Sequence, residues 1–134
     1  MSSMTVQAGR AFKTAWFSRA ARKVRISDAD LCEAIQQAMA GQADDLGGGV
    51  FKKRLNKNMH RSIIVAKGGR FWVFVYLFAK SDRANIGSGE LDAFRDLADF
   101  YSGKSEADLV KDLRAQELLE ICRDDQTQVQ ERRL

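Results

Sequence analysis

Proline is absent from this 134-residue chain, and cysteine and histidine are scarce, at two residues and one. Cys32 and Cys122 lie far apart with no histidine near either, which argues against a zinc site and against a disulfide scaffold. We therefore expect two buried thiols in a reducing cytoplasm. No stretch approaches the roughly 18 uncharged apolar residues of a membrane span, and residues 1–9 lack the basic and apolar blocks of a signal peptide. We predict a cytoplasmic protein with neither a metal nor a cofactor.

The chain does contain enough apolar residues for a core, together with a marked division of charge. Hydrophobic residues make up 45% and charged residues 30% of the sequence, as in a folded domain. Residues 10–83 carry fifteen Lys and Arg against six Asp and Glu, whereas residues 84–134 carry seven against twelve. This asymmetry favours a polyanionic partner for the first part. A bipolar surface without a specific partner is the alternative.

The length and the patterning predict one domain over residues 10–122, a disordered N-terminus (1–9) and a frayed tail (123–134). The segment AFKTAW indicates a short strand that runs into a helix from Trp16. Ser27 is the expected N-cap of a second helix, which stops near Gly41. The two helices form an N-terminal hairpin.

Three strands are expected next, at residues 50–55, 61–67 and in the apolar run that begins at Arg70. Helices then follow, one in SGELDAFRDLADFY and a last one from Ser105 through Ile121. This order predicts an α+β domain, with the helical hairpin on a small, mainly antiparallel sheet and helices at the C-terminal end.

A two-residue turn at Gly68–Gly69 would place Arg61 opposite Tyr76. Because side chains alternate between the faces of a strand, Arg61, Tyr76 and Lys80 then converge on one end of one face. A bulge in the strand would shift this arrangement by one residue. The opposite face, which includes Ser62 and Ile64, is assigned to the core.

The strand VFKKRL adds further cations, since Lys52 and Arg54 share a face with Val50 while Lys53 points the other way. Two cations beside Arg61 would enlarge a basic pocket. The alternative is that Lys52, Lys53 and Lys57 are edge-strand charges that prevent aggregation between sheets.

Longer blocks of sequence resemble a known family. LGGGVFKKRLNKNMHRSIIVAKGGRFWVFVYLFAKSDRANI and ELDAFRDLA, with FKTAWFSRAARK and ISDADLCEAI upstream, resemble the RelE-like toxins of bacterial type II toxin–antitoxin modules, in the branch grouped with HigB. The resemblance covers about residues 10–121. It implies the compact RelE/ParE-like fold, in which a small sheet carries a basic concave face. It also implies cleavage of translated mRNA in the ribosomal A site and neutralisation by a cognate antitoxin, for which a helix-turn-helix protein is one candidate.

The resemblance also assigns roles in metal-free RNA cleavage by 2′-hydroxyl attack. Arg61 matches the family's arginine at the scissile phosphate, and fixed guanidinium groups suit that charge. Lys80 and Arg83 match phosphate contacts or a leaving-group acid, and Lys52 and Arg54 match the basic strand. His60 is a natural general base by its ordinary titration range, but alternation turns it away from Arg61. The RNA-binding candidates are Lys53, Lys57, Tyr76 and Asn85.

Two features depart from the family pattern. The segment NKNMH before Arg61 is short, and Asn85 stands where several relatives have a base-stacking tyrosine. Tyr76, Trp72 or Phe74 could serve as an aromatic platform, although such residues are more often part of a core.

Two other functions stay open. ParE-like proteins share the fold but inhibit DNA gyrase without cleaving RNA, and a degenerate toxin would only bind RNA or antitoxin. The basic residues favour RNA, because gyrase inhibition would not require them.

Overall fold

The computed structural model describes residues 9–123, so the predicted disordered N-terminus and frayed tail lie outside the described residues except for Gly9 and Arg123. The elements in chain order are β1 (Arg10–Thr14), α1 (Ala15–Lys23), α2 (Asp28–Met39), β2 (Asp44–Gly47), β3 (Val50–Leu55), β4 (His60–Val65), β5 (Phe71–Ala79), α3 (Ser88–Ser102), α4 (Glu106–Arg114) and β6 (Leu118–Ile121). The α+β class is confirmed. The short strand predicted in AFKTAW is β1, which precedes the two N-terminal helices, whereas β2 and the C-terminal β6 were not predicted.

The sheet has the strand order β2-β3-β4-β5-β1-β6, with β1 parallel to β5 and the other neighbours antiparallel. Helices α1 and α2 pack over β5 and β3 on one face, while α3 and α4 cover the other. Strand β5 contributes Phe74 to the first core and Val73 to the second. Its long apolar run therefore reflects burial on both faces.

Local signals set the helix starts. The Thr14 hydroxyl accepts a hydrogen bond from the Phe17 N–H at 3.0 Å. Ser27 accepts from the Asp30 N–H at 3.1 Å while the Asp30 carboxylate accepts from the Ser27 N–H, a capping box. Ser27 is thus confirmed as the N-cap of α2. In the described range, no helix is both long and apolar enough to cross a membrane.

The prediction of one helix from Ser105 to Ile121 is wrong. Helix α4 ends at Arg114, and Gln116 adopts φ 60°, which a right-handed helix cannot contain. Residues 118–121 then pair with β1 as β6. The outer edge of β1 offers unpaired backbone groups, and pairing there buries Leu118 and Ile121.

The predicted register between β4 and β5 is also wrong. Val65 lies opposite Val73, one residue further than a two-residue turn allows, and Val75 forms a bulge between the Ile64–Phe74 and Ile63–Tyr76 pairs. The two single-residue shifts add together, so Arg61 faces Phe78. Because the register has shifted by two residues, each side chain of β5 returns to the face of the sheet that was predicted for it. Tyr76 therefore still shares a face with Arg61, as predicted.

The prediction of two free thiols is wrong as well. Cys32 on α2 and Cys122 directly after β6 form a disulfide with a Cα–Cα distance of 5.4 Å. Cys122 is exposed and Cys32 is half-buried. Ninety positions separate the two cysteines along the chain. The antiparallel pairing of β6 with β1 brings the two cysteines together.

Candidate functional site

Three cations share one face of β3 and β4. Arg54 lies directly opposite Arg61, and Lys52 lies opposite Ile63, in the ladder between the two strands. Opposed residues share a face, so Lys52, Arg54 and Arg61 form one surface, which we call the cationic face. Alternation along β3 places Lys52 and Arg54 on the face of Val50 and turns Phe51 and Leu55 into the core under α2.

Within residues 9–123, the two arginines of the cationic face have no acidic partner. The Arg61 Nη1 donates to the backbone carbonyls of Asn58 at 3.1 Å and of His60 at 3.2 Å. Arg54 is exposed, and within residues 9–123 no carboxylate lies within ion-pair distance of either guanidinium. Lys52, unlike the two arginines, has an acidic neighbour. Its Nζ lies 3.3 Å from Asn85 Oδ1 and 4.0 Å from Asp44 Oδ2. The face therefore has donors left over for an anion.

The short connection before Arg61 takes a left-handed course. Asn56, Lys57 and Asn58 have φ values of 55°, 53° and 70°. Asparagine tolerates this region, whereas a left-handed lysine costs roughly 1–2 kcal/mol. The turn directs the Asn58 carbonyl at the Arg61 guanidinium. The short segment NKNMH, which departs from the family pattern, thus holds Arg61 in place through the Asn58 carbonyl.

The aromatic residues of β5 extend the cationic face. Tyr76 and Phe78 lie opposite Ile63 and Arg61 and therefore share their face. The Arg83 Cζ lies 5.7 Å from the centre of the Phe78 ring. The Tyr76 ring also packs 5.8 Å from that of Phe94 on α3.

Arg83 is already neutralised within the chain. Its Nη1 and Nη2 donate to the two Glu90 carboxylate oxygens at 3.1 and 2.5 Å, and its Nε donates to the Asn85 carbonyl at 2.9 Å. The Arg83 hydrogen bond, followed by one from the Gly87 N–H, holds the pKa of the Glu90 carboxyl below its ordinary value. The pKa of Arg83 is raised, first by its hydrogen bond to Glu90.

Sequence reasoning did not name Glu90 as a site residue. A signal was available, because Glu90 stands three residues after the N-cap Gly87 and accepts from the Gly87 N–H at 2.7 Å. The capping pattern predicts that backbone contact but not the ion pair with Arg83.

Lys80 and Lys57 lie where the connection between β3 and β4 meets the end of β5. The Lys80 N–H donates to the Met59 carbonyl at 2.9 Å. Both lysines line a recess of about 600 Å³ together with Asn58 and Ser81. Within residues 9–123, neither lysine has a carboxylate partner.

Two predicted site residues lie on the opposite face. Lys53 pairs with Ser62 and donates from Nζ to the Gln42 carbonyl at 3.0 Å. His60 is buried opposite Leu55, with its Nδ1 3.2 Å from the Asn56 amide nitrogen. The structure therefore does not bring Lys53 and His60 to the cationic face.

Trp16, near the start of α1, is an exposed aromatic residue. Its fractional exposure is 45%. Its ring stacks on Tyr76 with centroids 5.3 Å apart and planes inclined by 22°. The neighbouring Phe17 fills the inner position instead.

In chemical terms, the site combines fixed guanidinium donors, lysine ammonium groups and aromatic surfaces. This combination suits a phosphodiester chain that carries bases. In the described part of the chain, no cluster of three or more His, Cys, Asp and Glu side chains is arranged to hold a metal ion.

Comparison with known protein families gives a match. A family model described as "RelE toxin of RelE / RelB toxin-antitoxin system" matches residues 9–121, which is most of the chain. No significant match is found among curated proteins or among solved structures.

Proposed function

This chain belongs to the RelE toxin family of RelE/RelB toxin–antitoxin systems, and on that premise we propose that it is a ribosome-dependent mRNA endonuclease. Its substrate is the mRNA in the ribosomal A site, and its effect is to inhibit translation. The location of ribosomes makes the cytoplasm its site of action. A cognate antitoxin is its natural partner, and acidic residues in that partner would complement the cationic face.

One observation carries the proposal: Arg54 and Arg61 face each other across two strands with no acidic partner in residues 9–123. Like charges directly opposite destabilise a sheet. A phosphodiester group between them would turn that repulsion into two charge-assisted contacts. An anionic substrate therefore accounts for an arrangement that the fold alone does not favour.

In the proposed reaction, Arg54 and Arg61 stabilise the negative charge that develops on the phosphate. The ribose 2′-oxygen attacks the adjacent phosphorus, the bond from phosphorus to the 5′-oxygen breaks, and a 2′,3′-cyclic phosphate is left. Extra negative charge develops on the phosphoryl oxygens during attack. Arg61, which the Asn58 carbonyl holds in place, and Arg54 stabilise that charge as preorganised donors.

Proton transfer falls to the lysines. The 2′-hydroxyl must lose a proton and the departing 5′-oxygen must gain one. We assign Lys52, which lies within the cationic face and matches the family's basic strand, to accept the first proton. Lys80, at the end of β5, donates the second. His60 receives no direct role, because it lies buried on the opposite face.

Arg83 receives a positioning role. Its guanidinium is held by Glu90 and by the Asn85 carbonyl, while Asn85 Oδ1 contacts Lys52 Nζ at 3.3 Å. The Arg83 contacts thus place Asn85 beside the proposed base. Lys57 and Tyr76 remain as RNA contacts.

Primer extension on mRNA in a translating lysate tests the proposal. We expect new 3′ ends with the native chain and their loss with Arg61→Ala, while Lys57→Ala has a smaller effect. Equal effects of the two substitutions would show that the centre is misplaced. Intact message together with blocked DNA supercoiling would instead identify a gyrase inhibitor.

A further inference from the structure

Trp16, which stacks on the proposed RNA contact Tyr76, has no role of its own in the proposed chemistry. Trp16 is 45% exposed, although tryptophan is on average a highly buried residue. Its ring lies nearly parallel to that of Tyr76, which in turn packs 5.9 Å from Phe78. An exposed indole fixed on a second ring is a ready surface for another flat group.

The geometry of α1 explains why Trp16 is outside. Phe17, Ser18 and Ala21 are the buried residues of this helix, so the positions three and seven residues after Trp16 fall on its other side. Those positions are Arg19 and Lys23, both exposed. The helix therefore presents one aromatic ring followed by two cations in a row.

A groove lies beside this row. Strand β1 pairs with β5 only as far as Phe74, so the later half of β5 has α1 rather than a strand on that side. Between α1 and β5 the surface forms a groove of about 420 Å³, and its lining includes Trp16, Arg19, Lys23, Tyr76 and His60. We call it the α1–β5 groove.

The charge of the α1–β5 groove indicates which class of ligand it would bind. Residues 9–27 contain six Lys and Arg and no Asp or Glu. Two of these cations are neutralised, Arg10 by Glu120 and Lys13 by Asp28, at 2.7 and 2.6 Å. Among residues 9–123, Arg19 and Lys23 have no carboxylate partner. The one acid in the lining is Asp82, so the groove is net cationic.

We propose that the α1–β5 groove binds single-stranded RNA, with a base stacked on Trp16 and the adjoining phosphates on Arg19 and Lys23. The inference rests on the proposed function and adds a second binding region to it. Tyr76 and Phe78 join the groove to the cationic face, since both line the groove and Phe78 lies opposite Arg61. Flanking nucleotides would thus reach Trp16 across Tyr76.

Trp16 itself supplies the probe. Trp16 and Trp72 are the two tryptophans of the chain, and Trp72 packs under α2 against Phe51, away from the groove. Trp72→Phe therefore leaves Trp16 as the single indole fluorophore. We would titrate this variant with a 2′-O-methyl oligoribonucleotide, which cannot undergo 2′-hydroxyl attack, with an abasic oligonucleotide of equal length, and with polyglutamate.

We expect saturable quenching of Trp16 by the oligonucleotide that carries bases and clearly weaker quenching by the abasic one. Trp16→Ala should weaken binding, followed by fluorescence anisotropy of a labelled oligonucleotide, about 5- to 150-fold, as loss of one stacked base implies. Arg19→Ala should reduce the dependence of affinity on salt, with a smaller slope by about one. Arg22→Ala, an exposed change on α1 outside the groove lining, is the matched control.

Each outcome separates this inference from the nuclease proposal. Ribosomal mRNA cleavage with no quenching of Trp16 would overturn the groove and leave the nuclease standing. Quenching without cleavage by the native chain would support the groove and overturn the nuclease. Quenching by polyglutamate but not by the oligonucleotide would overturn the groove, because it would mark a site for an acidic protein segment.

Discussion

Arg54 and Arg61 lie directly opposite each other on β3 and β4, and within residues 9–123 neither has an acidic partner. The fold places two like charges where opposite charges would be more stable. The proposed anionic substrate would relieve this repulsion, so removal of one arginine should separate stability from activity.

Arg54→Ala should increase stability while it lowers cleavage. Relief of the cross-strand repulsion is worth about 0.2–1 kcal/mol in the free energy of unfolding. Loss of one preorganised donor should slow mRNA cleavage about 10²- to 10³-fold. Urea unfolding and timed primer extension measure the two effects.

Lys53→Ala is the matched control for Arg54→Ala, because Lys53 is the preceding residue of the same strand but faces α2. Its contact is the Gln42 carbonyl, so its loss should leave the cleavage rate close to that of the native chain. A rate loss as large as that of Arg54→Ala would contradict the assignment of faces.

Gly49→Ala should destabilise the chain more than Gly68→Ala. Both glycines are left-handed, at φ 85° and 81°, and an alanine there costs roughly 1–2 kcal/mol. At Gly49 the new Cβ would also lie 2.8 Å from the Cβ of Lys67 and 3.2 Å from that of Ala98. That crowding adds about 1–3 kcal/mol, whereas Gly68 faces open space. Urea unfolding of the two variants should show the difference, and equal losses would refute the close approach at Gly49.

The ion pair of Arg83 and Glu90 should make stability sensitive to acid. The folded-state pKa of Glu90 lies below its ordinary value of 4.5, so the stabilisation is present above about pH 4.5 and is lost as the pH falls through the lower folded pKa. Glu90→Gln should therefore reduce the loss of stability in that acidic range. Chemical denaturation at a series of pH values measures it.

Asp108 offers a comparison, because its pKa is also lowered, chiefly by the Ser105 N–H. Asp108→Asn should therefore also reduce the loss of stability at acidic pH, by the part that Asp108 contributes. A variant with both changes should show the flattest pH profile. An unchanged profile in Glu90→Gln would argue against the ion pair in solution.

Reduction of the disulfide between Cys32 and Cys122 should lower the free energy of unfolding by about 2–4 kcal/mol. The bond closes a loop of ninety positions, and removing it frees the unfolded chain. Cys32→Ser with Cys122→Ser should match the reduced native chain and should not respond to reductant. A stability of the native chain that is insensitive to reductant would show that the bond is not formed.

The proposed cytoplasmic site of action adds a prediction about the same cysteines. Reducing compartments keep such pairs as thiols, so the disulfide seen in the structure should be open in the cell, and alkylation at the moment of lysis should label both Cys32 and Cys122. Complete protection of both residues would place the protein in an oxidising environment.

Local patterns predicted several elements correctly because their causes lie within a few residues. Ser27 caps α2 through a hydrogen bond to a residue three positions later. The alternation of VFKKRL placed Lys52 and Arg54 together and Lys53 apart, since strand geometry alone decides it. The family resemblance, which the match to residues 9–121 confirms, added the fold and the expectation of RNA chemistry.

Other features depended on contacts between distant parts of the chain. The edge of β1 made a strand of residues 118–121, and that strand brought Cys122 to Cys32. The shift at the turn and the bulge at Val75 together set which residue faces Arg61, and Glu90 neutralised Arg83.

The sequence by itself determined the helix starts, the alternation of cations along β3 and the family, because each follows from neighbouring residues or contiguous motifs. Only the tertiary structure decided that Arg54 meets Arg61, that Trp16 stays outside on Tyr76 and that the cysteines join. These depend on how separate elements dock, which is decided by packing across the whole fold.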